Sequence, residues 1–228
     1  MKIIEPSFRL SMLHTAGMGY NDGVKMLRYI EEQGRISHRS EDKQSLDSWQ
    51  KFIPAVVMGH GDWSITEHVS VTATIRASRG VLNELVRHRL ASYTQESTRF
   101  VRYDSFDHSR QQFEFIMPER LKEDYRSIFF FEEHCKASEA AYNALIDRGS
   151  RPQEARDVLP LSFASTIAMT TNLRNWRLFF LMRTTKETLP EFKRISVPML
   201  REFQRVIPFL YDDITPDARQ VENLGKAR

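Results

Sequence analysis

Seven stretches of the chain have the features of α-helices, and in most of them apolar residues recur every three or four positions, which places them on one helix face. The predicted helices span residues 21–33, 45–59, 79–90, 119–147, 152–158, 173–182 and 190–207. Asn21 or Asp22 can cap the first helix. Gly34 is expected to end it, because glycine readily adopts the left-handed conformation that closes many helices.

The same spacing predicts which faces of two helices are buried. In helix 79–90 the inward residues are expected to be Val81, Leu82, Leu85 and Val86. In helix 119–147, the longest, they are expected to begin with Leu121, Tyr125, Ile128 and Phe129 and to continue with Ala137, Ala141, Ala144 and Leu145. Both faces are predicted to contribute to the core.

Three shorter stretches have the alternation or the β-branched content typical of strands. They span residues 68–76, 113–117 and 163–171, and the opening segment 3–14 is expected to include another strand. Because helices and strands alternate without a regular βαβ period, the predicted fold is α+β, with a mixed or antiparallel sheet wrapped by helices. The 228 residues suit a single domain, with residues 217–228 as a loosely attached tail.

The chain has one cysteine, Cys135, which excludes an intrachain disulfide and fits a reducing compartment. No apolar run approaches the roughly 18 residues of a membrane-spanning helix. The first residues also lack the apolar stretch of a signal peptide. The protein is therefore expected to be soluble and cytoplasmic.

The basic residues are unevenly distributed, although the net charge is only +3. Of the 33 basic residues 24 are arginine, and the windows 76–102 and 148–183 each carry +4, which leaves −5 for the rest of the chain. Arginine binds carboxylate or phosphate with a planar, two-pronged fork that lysine lacks. The windows therefore indicate specific anion sites, and two solvated helix faces are the open alternative.

Several common site motifs are missing from the sequence. There is no Walker A loop and no GxSxG element, and the seven histidines show no zinc spacing, so no metal site is predicted. Residues 17–23 come closest to a dinucleotide fingerprint, but their spacing is one residue too long and they are predicted to form a loop. Cys135 lies inside the longest helix and is expected to be a packing residue.

The densest polar segment is Arg-His-Arg-Leu-Ala-Ser-Tyr-Thr-Gln-Glu-Ser-Thr-Arg at residues 87–99. It spans the end of the predicted helix 79–90 and the turn after it. Glu84, Arg87 and His88 lie within about one helical turn of each other, so Glu84 can orient a basic neighbour. Its hydroxyls and backbone N–H groups could cradle a phosphate. Basic side chains also favour a helix C-terminus, so an exposed helix end followed by a polar loop stays an open alternative.

Residues 87–97, RHRLASYTQES, match the RHR-x7-S signature of the flavin-dependent thymidylate synthases. Other elements resemble that family in the same order along residues 30–195. They are Arg-Ile-Ser at 35–37, the Gly-His to Glu-His segment at 59–68, Ala-Arg-Asp-Val-Leu-Pro at 155–160, Asn-Leu-Arg at 172–174 and Arg-Thr at 183–184.

This resemblance implies a homotetrameric α+β enzyme with active sites built from several subunits. Such an enzyme methylates dUMP at C5 to give dTMP. It takes the carbon from 5,10-methylenetetrahydrofolate and the hydride from NADPH-reduced FAD, and it releases tetrahydrofolate. Whether the methylene passes through the flavin or directly to dUMP stays open. The position of Cys135, far from every matching element, agrees with a mechanism that uses no cysteine nucleophile.

The resemblance also implies two sets of ligand contacts. The positions that match dUMP-binding residues are Glu84, Leu85, Val86, Arg87, Gln95, Glu96, Ser97, Thr98, Arg99, Arg156 and Arg183. The positions that match FAD-binding residues are Ser37, Ser64, Arg87, His88, Arg89, Gln95, Asn172, Leu173 and Arg174. Arg183 is the catalytic candidate, because a fixed guanidinium facing uracil would stabilise negative charge on the ring and make C5 more nucleophilic.

Some positions depart from the family pattern. Glu84 stands where many members of the family have Gln, and Thr94-Gln95 stands where many have Asn-Glu. Glu187 stands where some members have His. Two extra residues between His60 and Glu67 leave the equivalence of His60 open. Ser97 matches a possible nucleophile, but no histidine that could activate it is evident, so substrate binding is favoured.

Two other functions are consistent with parts of the sequence. A nucleic-acid-binding module would fit the pI of about 9.0, but the nearly balanced charge and the lack of a long basic run count against it. A flavin-binding member without catalysis is disfavoured because the arginines at 87, 99, 156 and 183 are all present. Neither nucleic acid nor a membrane is an expected partner.

Overall fold

A computed structural model describes residues 1–11, 18–103 and 113–217. His14 and Gly17 lie outside the described residues. So does the predicted tail beyond Asp217. None of the described helices is long and apolar enough to span a lipid bilayer.

Helices and strands alternate irregularly, as the sequence predicted. The α-helices are α1 (Tyr20–Ile36), α2 (Trp49–Phe52), α3 (Arg79–Leu85), α4 (Tyr125–Asp147), α5 (Pro152–Ala155), α6 (Leu173–Arg183) and α7 (Pro190–Val206). Helix α2 continues as a π-helix over Ile53–His60, and short 3₁₀ turns occupy Glu41–Lys43, Trp63–His68, Glu119–Glu123 and Arg156–Val158. The strands are β1 (Lys2–Ile3), β2 (Ser7–Ser11), β3 (Ser70–Ser78), β4 (Ser92–Gln95), β5 (Glu114–Phe115) and β6 (Ala164–Asn172).

The main sheet has four strands in the order β2-β3-β6-β4, and β1 pairs with β5 in a small parallel sheet. Strands β3 and β6 run antiparallel. The N–H of Arg79 donates to the carbonyl of Phe163 at 3.0 Å, and the N–H of Leu173 donates to the carbonyl of Val69 at 3.0 Å. Residue numbers therefore rise along one strand where they fall along the other, which is the antiparallel arrangement. This confirms the predicted α+β fold with an antiparallel sheet.

The described residues form two compact units. The first unit comprises Met1–Ser7, Ile75–Arg89 and Tyr93–Ala168, and the second comprises Phe8–Thr74, Leu90–Ser92 and the chain from Met169 onward. The expected single domain stays a prediction.

Aromatic side chains dominate the core of the first unit. Tyr103, Phe113, Phe163 and Tyr142 are buried together, and the rings of Tyr103 and Phe163 meet edge to face with their centroids 4.9 Å apart. Each such ring removes about 150–250 Å² from water, so this cluster is a rigid support for the segments attached to it.

Helices α6 and α7 build the core of the second unit. Helix α7 buries residues at helical spacing, namely Phe192, Ile195, Ser196, Met199, Leu200, Phe203 and Val206. On α6, Trp176 and Phe180 are buried, and the ring of Phe180 lies 5.0 Å from that of Phe203. Buried Arg177 pairs with Asp213 at 2.5 Å, which compensates its charge.

Gly34 lies inside α1, so the expectation that it ends the helix is wrong. A Cβ at this position would come within 2.7 Å of Phe52 Cζ and 2.9 Å of Ile65 Cδ1. Glycine is needed here for close packing, and the left-handed residue after the helix is Arg39, with φ 46°.

The third predicted helix is shorter than expected. Helix α3 ends at Leu85, and Val86 is 40% exposed, so its assignment to the core is wrong. The hydroxyl oxygen of Tyr93 lies 3.0 Å from the carbonyl oxygen of Leu85 and 2.6 Å from that of His88, and these two carbonyls share its one proton. Because a residue outside the helix forms hydrogen bonds with these carbonyl groups, the backbone can leave the helix after Leu85 and continue to β4.

The inward face of α4 also differs from the prediction. Tyr125 is 81% exposed and Phe129 is exposed as well, whereas the buried residues are Cys135, Ser138, Tyr142 and Ile146. Spacing places residues on a common face, but only a neighbouring element buries that face. Here the aromatic cluster packs against the second half of the helix.

Gly23 belongs to the first turns of α1, so the loop predicted for residues 17–23 is wrong from Tyr20 onward. The backbone of α7 approaches so closely that a Cβ on Gly23 would overlap the carbonyl oxygen of Val206. The two helices therefore meet through backbone atoms at this point.

We expect Gly23→Ala to lower the free energy of unfolding by about 2–3 kcal/mol, because the methyl group overlaps backbone that moves only with α7. Gly80→Ala is the matched control, since its Cβ would have no neighbour closer than Leu161 Cβ at 3.8 Å. Gly80→Ala should leave the free energy of unfolding unchanged or raise it by up to about 1 kcal/mol. Urea denaturation measures both variants, and equal stabilities would contradict the close packing of α1 on α7.

Candidate functional site

Two arginines of the first unit converge on one buried hydroxyl. Thr98 is 3% exposed, and its Oγ1 accepts hydrogen bonds from Nη1 of Arg79 at 3.3 Å and from Nη1 of Arg156 at 3.5 Å. Arg156 has Asp157 at 3.9 Å, whereas Arg79 has no carboxylate partner among the described residues. Like charges brought this close favour an anionic ligand.

The residues on either side of Thr98 present further anion-binding groups. Ser97 is partly exposed, and its Oγ lies 3.4 Å from the N–H of Arg99. Arg99 is exposed, and its guanidinium lies 5.5 Å from the ring centroid of Phe100. The structure thus brings the predicted residues Ser97, Thr98, Arg99 and Arg156 into one region.

Glu96 points into the first unit. Its Oε2 lies 3.5 Å from Nη1 of Arg76, and its Oε1 accepts a hydrogen bond from the hydroxyl of Tyr103. Arg76 also donates to Glu114 at 2.5 Å and to Thr166 at 2.7 Å. Burial, and secondly the bond to Glu96, raise the pKa of Tyr103 well above its ordinary value, so the hydroxyl stays protonated.

Gln95 also faces its neighbours in the sheet. Its Nε2 lies 3.5 Å from Oγ of Ser165, at the limit of a hydrogen bond. Among the predicted dUMP contacts of this unit, Leu85 is buried, Val86 is exposed and Glu84 is partly exposed.

The Arg-His-Arg segment follows α3 directly. Arg87 and Arg89 are exposed, and His88 is partly exposed. The hydroxyl of Tyr93 holds the carbonyl of His88 at 2.6 Å, and burial raises the pKa of Tyr93 to about 12. The backbone that carries these cations is therefore fixed, while the two guanidiniums face solvent.

A cavity of about 500 Å³ lies in the second unit. Two predicted FAD contacts, Ser37 and Ser64, both line it. The remaining lining residues are Gly34, His38, Ser40, Phe52, Val56, His60, Asp62 and Ile65. Phe52, Val56 and Ile65 give the cavity an apolar wall, and most of its other side chains are polar, a combination that suits an aromatic ligand with polar edges. His60 reaches this cavity despite its irregular spacing from Glu67.

The wall of this cavity is held by a buried ion pair. Glu31 is fully buried and accepts from Nη2 of Arg35 at 2.6 Å and from Oγ of Ser48 at 2.9 Å. The guanidinium of Arg35 lies 5.1 Å from the ring centroid of Phe52. Arg35 therefore supports the cavity wall through Phe52.

The start of α6 presents three predicted FAD contacts. Asn172 caps the helix by accepting from the N–H of Asn175 at 2.9 Å. Nη1 of Arg174 lies 2.6 Å from Oε1 of Glu67. Leu173 is buried, with its N–H bonded to Val69, so its side chain serves the core.

Arg183 is the last residue of α6. Its guanidinium lies 4.9 Å from the ring centroid of Phe192, and its carbonyl accepts from Oγ of Ser196 at 2.5 Å. These contacts tie the end of α6 to α7 and restrict where the guanidinium points.

The sequence alone missed four residues that the structure joins to the predicted set. Arg76 and Tyr103 contact Glu96, Arg79 contacts Thr98, and Glu67 contacts Arg174. Membership of the first arginine-rich window was a signal for Arg76 and Arg79. Nothing in the spacing indicated Tyr103.

The described residues contain no group of three or more His, Cys, Asp or Glu side chains that could hold a metal ion. Cys135 is fully buried in the aromatic core, and burial raises its pKa to about 11. A buried, protonated thiol is a poor nucleophile.

Comparison with known proteins gives consistent matches over most of the chain. The family model described as thymidylate synthase complementing protein matches residues 22–209. The flavin-dependent thymidylate synthase of Pyrococcus furiosus is 32% identical over 188 residues, which cover 82% of this chain and 73% of that protein. That of Geobacter sulfurreducens is 34% identical over 161 residues, which cover 70% of this chain and 67% of that protein.

Among solved structures, the UMP/dUMP methylase PolB from Streptomyces cacaoi, bound with 5-Br dUMP, has a similar fold. The TM-score is 0.71, and the match covers 91% of this chain and 94% of that chain. The sequence identity is 20%, so this likeness concerns the fold alone.

The thiol of Cys135 provides a test of this arrangement. At pH 9.0, the ordinary thiol pKa, half of an exposed cysteine is thiolate, whereas a pKa of about 11 leaves about 1%. We expect the native protein to react with a thiol reagent at least about 50-fold more slowly than the urea-unfolded protein, as followed by absorbance. Similar rates in the two states would contradict the burial of Cys135.

Proposed function

The chain belongs to the family of flavin-dependent thymidylate synthases, and on that premise we propose that it converts dUMP to dTMP by reductive methylation at C5. The family matches confirm the resemblance indicated by the RHR-x7-S motif, and they identify the protein as a flavin-dependent methyltransferase. In this proposal 5,10-methylenetetrahydrofolate supplies the carbon, NADPH-reduced FAD supplies the hydride, and tetrahydrofolate is released.

The observation that carries the substrate assignment is the pair of arginines on Thr98. Arg79 and Arg156 bring two guanidiniums to one side chain, and Arg99 adds a third in the adjacent position. Charge-assisted hydrogen bonds from such groups are well suited to a phosphate. We assign the 5′-phosphate of dUMP to this cluster.

The cavity of the second unit fits part of a flavin cofactor. Its volume of about 500 Å³ lies in the range for cofactor sites, and Phe52 and Val56 provide an apolar wall for a flat ring. Ser37 and Ser64 would donate hydrogen bonds there. When bound, the reduced flavin supplies the hydride that completes the methyl group.

Exposed cations near the motif suit the anionic part of FAD. Arg87 and Arg89 face solvent on a backbone fixed by Tyr93, so their fork-shaped guanidiniums are available to a diphosphate. Asn172 and Arg174 at the start of α6 are the further proposed contacts.

Arg183 is the proposed catalytic residue. A guanidinium facing the uracil ring would stabilise negative charge on the pyrimidine and so increase the electron density at C5. Its stacking on Phe192 and the bond between its carbonyl and Ser196 support a fixed orientation.

No side-chain nucleophile is required in this proposal. Cys135 is buried, with a raised pKa. Ser97 contacts the N–H of Arg99, and the described residues give it no histidine partner that could act as a base. We therefore assign Ser97 to substrate binding.

We propose that the enzyme is a homotetramer with shared active sites. The exposed aromatic residues of α4, Tyr125, Phe129 and Phe130, support a subunit contact, because large exposed apolar side chains grouped on one helix are typical of interfaces.

Tritium release from C5-labelled dUMP tests the function directly. We expect release only when FAD, NADPH and methylenetetrahydrofolate are all present, because the C5 proton leaves as the methyl group is built. Liquid scintillation counting of the released water measures the rate. Folded, FAD-loaded protein that releases no tritium in the complete mixture would contradict the proposal.

Arg183→Ala is expected to reduce turnover by at least about 100-fold while sparing FAD binding, because it removes a charge needed as the ring becomes negative. Arg205→Ala is the matched control, since Arg205 is exposed on α7 and pairs with Glu202. The same tritium assay, with flavin fluorescence for binding, checks both variants. Full turnover in Arg183→Ala would show that the assignment of Arg183 is wrong.

A further inference from the structure

Glu96 is an acidic residue inside a segment that we assign to an anionic ligand. It precedes Ser97, Thr98 and Arg99 directly. The resemblance placed Glu96 in contact with the nucleotide, yet its side chain is only 10% exposed and points towards Arg76 and Tyr103. A buried carboxylate is costly unless it is paired, so this orientation has a structural cause.

Three contacts hold Glu96 in place. Its N–H donates to the carbonyl of Thr166 at 2.9 Å, its Oε2 lies 3.5 Å from Arg76, and its Oε1 accepts from Tyr103. Arg76 is itself fixed by Glu114, with Nη2 to Oε2 at 2.5 Å. Every partner of Glu96 is thus part of the sheet or of the aromatic core.

The bond between Glu96 and Tyr103 closes a short loop. The loop contains Ser97, Thr98 and Arg99, and its first turn is made by the N–H of Val101, which donates to the carbonyl of Ser97 at 2.9 Å. Tyr103 is buried at the far end, with its ring 4.9 Å from that of Phe163. Both ends of the loop are therefore anchored in rigid parts of the first unit.

We propose that Glu96 and Tyr103 are positioning residues that hold this loop in the conformation that binds the 5′-phosphate of the nucleotide. The proposal rests on the proposed function, because it takes dUMP as the ligand of the loop. It replaces a direct contact by Glu96 with an indirect role through Ser97, Thr98 and Arg99.

The hydroxyl of Tyr103 is suited to a permanent role of this kind. Burial and the neighbouring carboxylate raise the pKa of Tyr103 far above neutral pH, so the hydroxyl keeps the proton that it donates. The charge of Glu96 is also kept inside the unit by Arg76, so it does not repel a phosphate at the surface of the loop.

The test compares dUMP with deoxyuridine, which lacks the phosphate. We expect Tyr103→Phe and Glu96→Ala each to raise the Kd for dUMP about tenfold in the FAD-loaded protein, while the Kd values for deoxyuridine and FAD stay at the wild-type level. The double variant should be little worse than either single variant, because both act through one hydrogen bond. Calorimetric titration measures the affinities, and thermal unfolding confirms that each variant is folded.

Tyr142→Phe is the matched control, because Tyr142 lies in the same aromatic cluster with its ring 6.2 Å from that of Tyr103. It should bind dUMP like the wild type. A Tyr142→Phe variant that loses as much dUMP affinity as Tyr103→Phe would overturn the proposal in favour of general loosening of the core.

Three other results would also overturn it. In the first, dUMP and deoxyuridine affinities fall equally in Glu96→Ala while Tyr103→Phe is unaffected, which indicates direct nucleoside contact by Glu96. In the second, both variants bind dUMP normally, which leaves the proposed function intact but removes the positioning role. In the third, the wild-type protein binds no dUMP, which overturns the proposed function and this proposal with it.

Discussion

The antiparallel pairing of β3 with β6 fixes the backbone next to two groups of candidate site residues. In the first unit it places Arg76 beside Thr166, with Nη1 2.7 Å from Oγ1. In the second unit it bonds the N–H of Leu173 to the carbonyl of Val69, where α6 begins. A shift of one residue in the pairing of the two strands would turn the side chains of the shifted strand to the opposite face of the sheet. The register of this pair therefore decides which face of the sheet carries Arg76.

Partners of opposite charge divide the arginines into two groups. In the first group, Arg35 pairs with Glu31 and fixes the cavity wall. Arg76 pairs with Glu114 in the sheet, and Arg177 pairs with Asp213 in the helical core. Arg79 and Arg156 instead meet at a hydroxyl, and Arg87, Arg89 and Arg99 are exposed. The arginines of the second group are available to ligands. The arginine excess of the sequence thus includes both structural ion pairs and candidate ligand-binding cations.

Hydrophobic periodicity predicted the helices and the main strands, because it reflects local geometry that each segment carries alone. It failed at Gly23 and Gly34, where glycine is required by the approach of α7 and of Phe52, and at Tyr125, which no spacing rule could distinguish from a core residue. The motif located the segment 87–99 but could not show that Glu96 turns inward, because its partners Arg76 and Tyr103 belong to other parts of the fold. Arg79 was missed for the same reason.

We propose that this flavin enzyme binds its nucleotide ligands through its arginines. The decisive measurement is the visible absorption spectrum of the purified protein, recorded after incubation with excess FAD and gel filtration. We expect a flavin band that stays with the folded protein and is released when the protein is denatured. Folded protein that retains no flavin under these conditions would contradict the proposal that the protein binds FAD.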